Sequence, residues 1–339
     1  VPLEERACAV SHEHTMPTGP ASLESDAWSR LWRAGVLHSC STAIEGNYDG
    51  EIAAFWNARF NGLQARQRVV DIGTGNGALA LLAKQHAAKR GIDFDIHGVD
   101  AADIDPPRWA STATPFDGIT FHARTRMEDL PFEAGSVALV TSQYAFEYSR
   151  AREPALQEIF RIIGHTGTAA FLLHSADSLI SMTLRQQHEA CALLFDETRI
   201  LDLAHQWISS LAGSPASTST SQGTAQIQQA FQSASTRLVA AASALPEAAI
   251  LRKTFHYLHA TLEQAQGSPW EALQYLANAR DDLENERMRL QHLSGAIMGL
   301  RELEGLHGQC IAAGYASSLL SPLDQAAGSR MGWTLVVSP

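Results

Sequence analysis

Residues 69–77 read VVDIGTGNG. Two β-branched residues and an acid lead into glycines at alternate positions, Gly73, Gly75 and Gly77. Glycine costs backbone entropy on folding, so such spacing is kept where φ must be positive or where something approaches the chain closely. RVVDI (68–72) is the short apolar run expected of a buried parallel strand. NGALALLAKQHAAKRG (76–91) reads as a helix with basic residues in its last turns and Gly91 as its stop. The stretch is a strand, a tight turn and a helix in sequence.

The same alternation runs outward from it. Strands are expected at DFDIHGVD (93–100), GITFHA (118–123), SVALVTSQ (136–143) and GTAAFLLHS (167–175), with a helix at EPALQEIFRIIG (153–164). This order predicts an α/β fold, a Rossmann-like doubly wound sheet covered on both faces. Upstream, residues 21–37 show helical spacing through Trp28, Leu31, Trp32 and Val36, and a second helix carries Ile52, Phe55, Trp56 and Phe60. Residues 1–20 show no period, and His12 and His14 there find no third metal ligand.

Downstream the alternation stops. Residues 176–299 carry long helical patterns and no strand signal, which predicts a mostly helical insertion. Within it SPASTSTSQGT (214–224) reads as a polar loop. SPWE (268–271) opens a helix, with Ser268 as N-cap, Pro269 at the first turn and Glu271 completing a capping box. Strand signals return in CIAAGYASSLLSPL (310–323) and MGWTLVVSP (331–339). The organisation expected is a loose segment (1–20), N-terminal helices (21–67), a core in two pieces (68–175 and 300–339) and the insertion (176–299).

Composition narrows the partners. The 339 residues have a formal net charge of -11. That disfavours nucleic acid or an anionic membrane as the main partner. Cys8, Cys40, Cys191 and Cys310 are scattered and read as free thiols. No apolar run is long enough for a membrane helix, and no signal-peptide pattern stands at residue 1. A cytoplasmic protein is the expectation.

The turn excludes two phosphate-binding motifs. No G-K-[ST] follows, as a nucleotide-phosphate loop requires, and the glycines run G-x-G-x-G rather than G-x-G-x-x-G. Asp71 before the glycines and Asp100 at the end of HGVD are acids at strand ends. They are either ligand-binding carboxylates or capping acids at helix N-termini.

D-I-G-T-G-N-G resembles the first motif of the class I S-adenosylmethionine-dependent methyltransferases. MEDLPFEAGSVALVTSQYAFEY (127–148) resembles that family's third and fourth motifs, and the glycine–tryptophan of MGWTLVVSP resembles the opening of its last strand. The likeness spans residues 45–175 and 300–339 and leaves the insertion unmatched. It implies seven strands with an antiparallel last strand, S-adenosyl-L-methionine as cofactor and S-adenosyl-L-homocysteine as product. It places the cofactor against Asp71, Gly73, Thr74, Gly75, Asn76 and Gly77, against Asp100 as the ribose acid with Ala101, and against Met127 and Glu128. Ser142 and Gln143 at the end of strand four and Tyr48 from the N-terminal segment complete that set. Two positions depart from the family: Arg126 and Ala138 stand where an Asp is usual. Adenine is then expected on the backbone of Met127 and Glu128, with Arg126 stacking or turned away.

Methyl transfer needs an aligned nucleophile, a dry site and sometimes a base. The residues at the strand ends that offer one are His174, Glu147 and Tyr148. His174 is either a general base or a structural histidine, and Glu147 is a base, a binder of a substrate ammonium or a surface helix residue. Tyr48 either folds over the cofactor or packs in the core. Trp28, Trp32, Trp56 and Trp207 read as core. No metal site is expected. The insertion holds 8 Lys+Arg and 12 Asp+Glu, a net of -4, which disfavours a polyanionic acceptor. These features point to a small-molecule acceptor under a helical lid. The alternatives are a protein methyltransferase docking its partner through the insertion, a non-catalytic scaffold that binds the cofactor, and helices that build a homodimer interface.

Overall fold

The computed structural model describes residues 20–40, 46–212, 218–315, 317–326 and 328–339. His12, His14 and Cys8 lie outside the described residues.

Two helices lead into the sheet, α1 (Pro20–Arg33) and α2 (Gly50–Phe60). Then follow β1 (Arg68–Ile72), α3 (Ala78–Lys89), β2 (Asp95–Val99), the short α4 (Pro106–Trp109), β3 (Ile119–His122), β4 (Leu139–Gln143), α5 (Arg152–Ile163) and β5 (Thr168–Leu173). Six helices come next: α6 (Leu179–Cys191), α7 (Ile200–Ala212), α8 (Thr218–Ala244), α9 (Ala249–Ala265), α10 (Pro269–Ala296) and α11 (Leu300–Ala312). β6 (Leu319–Asp324) and β7 (Arg330–Val337) close the sheet.

The seven strands lie in the order β3-β2-β1-β4-β5-β7-β6. β1 to β5 pair in parallel, while β7 runs antiparallel to both β5 and β6. Strand alternation distributes the core onto two faces. Val69, Leu139, Ala170 and Leu172 face α2 and α3, where Trp56, Phe60 and Leu79 pack. Val70, Ile72, Val140 and Phe171 face α5 and α11, through Ile159, Ile163 and Leu306. Both faces are covered, so these strands are apolar throughout rather than alternating. The alanines of α3 let that helix lie close to the sheet, and seven of its residues are buried.

The helices after β5 have a hydrophobic core of their own, built from residues such as Leu194, Ile208, Leu238, Leu258, Leu276 and Leu283. Ser268 caps α10 by accepting the N–H of Glu271. The segments just after β5 and just after α10 meet in an isolated parallel bridge between Ser175 and Met298.

Three expectations need correction. α1 ends at Arg33 instead of running to 37, because Gly35 takes φ +86° and turns the chain under Trp109. Residues 218–224 are the opening turns of α8 rather than loop, and 214–217 fall outside the described residues. Residues 310–312 finish α11, so the sixth strand begins only at Leu319. Among the described residues no helix is long and apolar enough to cross a membrane.

Candidate active site

The parallel strands end on one side of the sheet, where β1 meets β2 and β4. The turn after β1 is stitched down by its own backbone: the N–H groups of Gly73 and Thr74 both donate to the carbonyl of Val99, at 2.8 and 3.0 Å. All three turn glycines have positive φ. What approaches them is largely the protein itself. A Cβ on Gly75 would lie 2.6 Å from the Trp32 ring, one on Gly77 2.9 Å from Phe121, and one on Gly73 2.3 Å from Cβ of Ala145. Asn76 turns away from the strand ends and donates to the carbonyls of Trp32 and Val36, at 2.8 and 2.7 Å. The motif therefore seats the N-terminal segment on the sheet as well as shaping a cavity.

That cavity opens over the strand ends, is open to solvent, and has a volume of about 220 Å³. Its floor includes Asp71, Gly73, Thr74, Asp100, Ala101 and Gln143, and its side wall includes Met127 and Glu128. Asp100 takes the N–H of Gly75 on Oδ2 and that of Ala102 on Oδ1, both at 2.8 Å. Each oxygen keeps a second lone pair for a ligand. Burial raises the Asp100 pKa, opposed by those two backbone bonds. Asp71 is buried, accepts the hydroxyl of Thr141 at 2.9 Å, and is pushed by burial up to about 7. Gln143 receives the Trp56 indole N–H on Oε1 at 2.5 Å, while its Nε2 is buried without a partner. Arg126 pairs with Glu128 at 3.2 Å, and Ser149 donates to the other Glu128 oxygen at 2.6 Å. The Arg126 side chain is thus turned to its neighbour's carboxylate.

The roof comes from far along the chain. Tyr48 stacks on His38 with centroids 4.6 Å apart. His38 Nε2 lies 3.0 Å from the carbonyl of Gly46, which assigns the proton to that nitrogen and leaves the buried Nδ1 as an unpartnered acceptor. Burial lowers the His38 pKa, so the ring is neutral. Trp28 stacks on Trp32 at 5.9 Å, and Tyr148 meets Trp28 edge-on. The Trp28 indole donates to Nδ1 of His292 on α10 at 3.1 Å. These two residues are 264 positions apart, and both line the cavity.

The expected residues are thus divided. Asp71, Gly73, Thr74, Asp100, Ala101, Met127, Glu128, Gln143, Tyr48 and Tyr148 share one cavity. Gly75, Asn76 and Gly77 lie behind the turn. Ser142 faces the other side of β4, where its hydroxyl accepts the N–H of Phe146 at 3.0 Å. Glu147 and His174 are 1% and 5% exposed. Glu147 Oε1 accepts both the backbone N–H and Nδ1 of His174, each at 2.7 Å. The His174 ring packs under Tyr144 and Tyr148, at 4.4 and 5.9 Å, and does not line the cavity. Glu147 is not on a surface helix; it sits inside a 3₁₀ turn, Phe146–Tyr148. Trp28, Trp32, His38 and His292 are the cavity residues that sequence patterns passed over, the two tryptophans as core. The four-residue spacing of Trp28 and Trp32, beside a glycine turn with room for a ring, is the one local signal of their place. Among the described residues no group of three or more His, Cys, Asp or Glu forms a metal site.

The residues present fit a nucleoside joined to an amino acid. Asp100 offers two oxygens to a pair of hydroxyls, the orphaned Gln143 amide and Asp71 offer a donor and an acid, and Ile72, Leu79, Val99 and Met127 supply apolar walls.

Residues 70–171 match the methyltransferase domain family. Comparison with curated proteins gives no match. Among solved structures, the chain is similar to the methyltransferase in complex with the Haloferax volcanii Trm112 methyltransferase activator, with 23% identity, 45% of this chain and 60% of that one covered, and a TM-score of 0.34. It is similar to YcgJ of Bacillus subtilis, with 23% identity, 42% and 57% covered, and a TM-score of 0.32. It is also similar to the geranyl diphosphate C-methyltransferase of Streptomyces coelicolor, with 16% identity, 47% and 68% covered, and a TM-score of 0.33. The chain spans less than two thirds of the length of the first two. With the sheet order and the glycine turn, the match makes residues 70–171 a methyltransferase domain of the kind that takes S-adenosylmethionine as cofactor.

Proposed function

We propose that this protein transfers a methyl group from S-adenosylmethionine to an O, N or C atom of a small molecule. The observation that carries the reading is a cavity lined from two sides: Asp100 and Asp71 on its floor, and a partial roof in which Trp28 reaches His292. A roof of rings excludes water and holds reactants close, which is the main demand of in-line displacement.

In this reading Asp100 orients the ribose through the lone pairs left by Gly75 and Ala102. Gln143 Nε2 and His38 Nδ1, a donor and an acceptor without partners in the residues that line this cavity, are suited to the carboxylate and ammonium of the amino-acid portion. When bound, the cofactor would supply an electrophilic methyl carbon to the acceptor's nucleophilic atom, with S-adenosylhomocysteine as the leaving group. Glu147 and His174 act as a positioning pair, because they support the 146–148 turn and the Tyr148 ring from below rather than meeting a reactant. Residues 21–67 serve as cover, residues 176–299 as lid, and 68–175 with 300–339 as the core that binds the cofactor.

Titration calorimetry with S-adenosylmethionine and S-adenosylhomocysteine tests this. Micromolar binding is expected for wild type, weakened at least tenfold in Asp100→Ala with the fold intact by circular dichroism. Absence of binding by folded wild type would overturn the reading.

A further inference from the structure

Buried hydrogen-bonding groups without partners mark what a cavity is built to receive. Trp32 carries one. The residue is 7% exposed and lines the cavity, and its indole Nε1 is buried with no partner. An indole N–H is a donor only, and when buried it ordinarily finds an acceptor. Trp28, one turn earlier in α1, follows that rule through His292. Trp32 does not.

Its surroundings define the missing acceptor. The ring lies against the two residues that fix Asp100. Cζ2, Cη2 and Cε2, the edge on the Nε1 side of the indole, would lie 2.6, 2.7 and 3.0 Å from a Cβ on Gly75. Ala102 and Ile104 pack in one cluster with the same indole. Gly75 and Ala102 are the residues whose N–H groups hold the two oxygens of Asp100. A carboxylate with spare lone pairs and an unpaired indole N–H therefore meet at Gly75. The first only accepts and the second only donates. A ligand ammonium would satisfy Asp100 and leave the indole unpaired, and a ligand carboxylate would do the reverse. A hydroxyl serves both, giving its proton to the acid and taking the N–H on its oxygen.

We infer that Trp32 recognises the sugar of the bound nucleoside: one ribose hydroxyl donates to Asp100 and accepts from Trp32 Nε1. The inference rests on the methyl-transfer reading. It makes α1 part of the binding site rather than cover alone, and it makes that hydroxyl a tie between the floor and the roof. Nε1 is closed to solvent, so the ring turns as the ligand seats.

The test compares S-adenosylhomocysteine with its 2′-deoxy and 3′-deoxy forms by titration calorimetry, on wild type and on Trp32→Phe. Phenylalanine keeps a ring over Gly75 and deletes the donor. The variant is expected to bind S-adenosylhomocysteine about tenfold more weakly than wild type. For the deoxy form that lacks the bridging hydroxyl, the two proteins are expected to agree within about twofold, because the indole has nothing left to reach. Equal weakening for all three ligands makes Trp32 a packing residue and overturns the inference, as does no weakening for any. Should the variant not fold, wild type alone decides through the Trp32 indole N–H resonance of the isotope-labelled chain. That resonance is expected to move downfield with S-adenosylhomocysteine and to stay in place with the deoxy form lacking the hydroxyl. The same shift with all three ligands, or no shift, overturns the inference. No binding of S-adenosylhomocysteine by folded wild type is a different result, which overturns the methyl-transfer reading; binding that is indifferent to Trp32 overturns this inference alone.

Discussion

The cavity has a floor and a roof held by different physics. The floor is fixed by hydrogen bonds through the backbone: Gly73 and Thr74 to Val99, Gly75 and Ala102 to Asp100. Its residues sit at the ends of adjacent strands, so the sheet itself sets their spacing. The roof is fixed by rings and by side-chain hydrogen bonds such as Trp28 to His292, with Trp28, Trp32, Tyr148 and His292 drawn from three separate parts of the chain. A floor of that kind is preorganised. A roof of that kind opens at low cost, which a ligand must exploit to enter.

The sharpest way to break this contrast is to alter the floor. In Gly73→Ala the new methyl group meets Ala145 at 2.3 Å on a backbone with φ +67°. Neither atom belongs to a flexible side chain, so the turn must move. A loss of about 2–4 kcal/mol is expected, with S-adenosylhomocysteine binding lost as the turn leaves Val99. Gly118→Ala is the control, since Gly118 has φ +80° and open space around it. There only the positive φ is penalised, about 1 kcal/mol. Urea unfolding of both variants measures the difference. Equal losses would show that close packing under the floor is not what fixes it.

The floor also holds a buried acid. Asp71 titrates near 7, against an ordinary value of 3.8, chiefly through burial. Between those values the folded chain holds a proton that the unfolded chain has released. Stability from this group is therefore complete below about pH 4 and is lost as pH rises to about 7. Asp71→Asn removes that fall, so the stability gap between variant and wild type shifts toward the variant by a few kcal/mol across the window. Urea melts at pH 4.5 and 7.5 read it. A gap independent of pH would mean that Asp71 is ionised throughout.

The same contrast explains how much was legible in the sequence. The floor could be read because its signals are local: Asp71, Gly73 and Asp100 follow directly from a strand, a turn and the next strand. The roof could not, because no short pattern links Trp28 to His292. Their meeting depends on how α10 crosses α1, a contact between residues 264 positions apart in the chain. His174 illustrates a different limit of local signals. A histidine at a strand end reads equally as a base or as a structural residue, and what orients it is Glu147, whose burial in a 3₁₀ turn leaves no periodic trace. Ser142 was assigned to the cavity although Gln143 beside it shares that wall, and one step along a strand reverses the face. The turn glycines were legible as sites of close approach, but not the identity of what approaches Gly75, since Trp32 arrives from outside the motif.

The mildest change tests the roof alone. Trp28→Phe keeps an aromatic ring beside Trp32 and Tyr148 but deletes the N–H that reaches His292 Nδ1. A neutral hydrogen bond of this kind contributes about 1 kcal/mol. If the bond serves mainly to close the roof, its loss falls on the bound state, where the roof must stay shut. S-adenosylhomocysteine affinity should then drop about three- to tenfold and its dissociation should quicken, while the unfolding midpoint stays near wild type. Amide exchange over residues 26–40 should rise in the variant with ligand bound. A fall in stability as large as the fall in affinity would instead place Trp28 and His292 in the fold's framework, and the distinction between a rigid floor and an opening roof would fail at the contact that defines it.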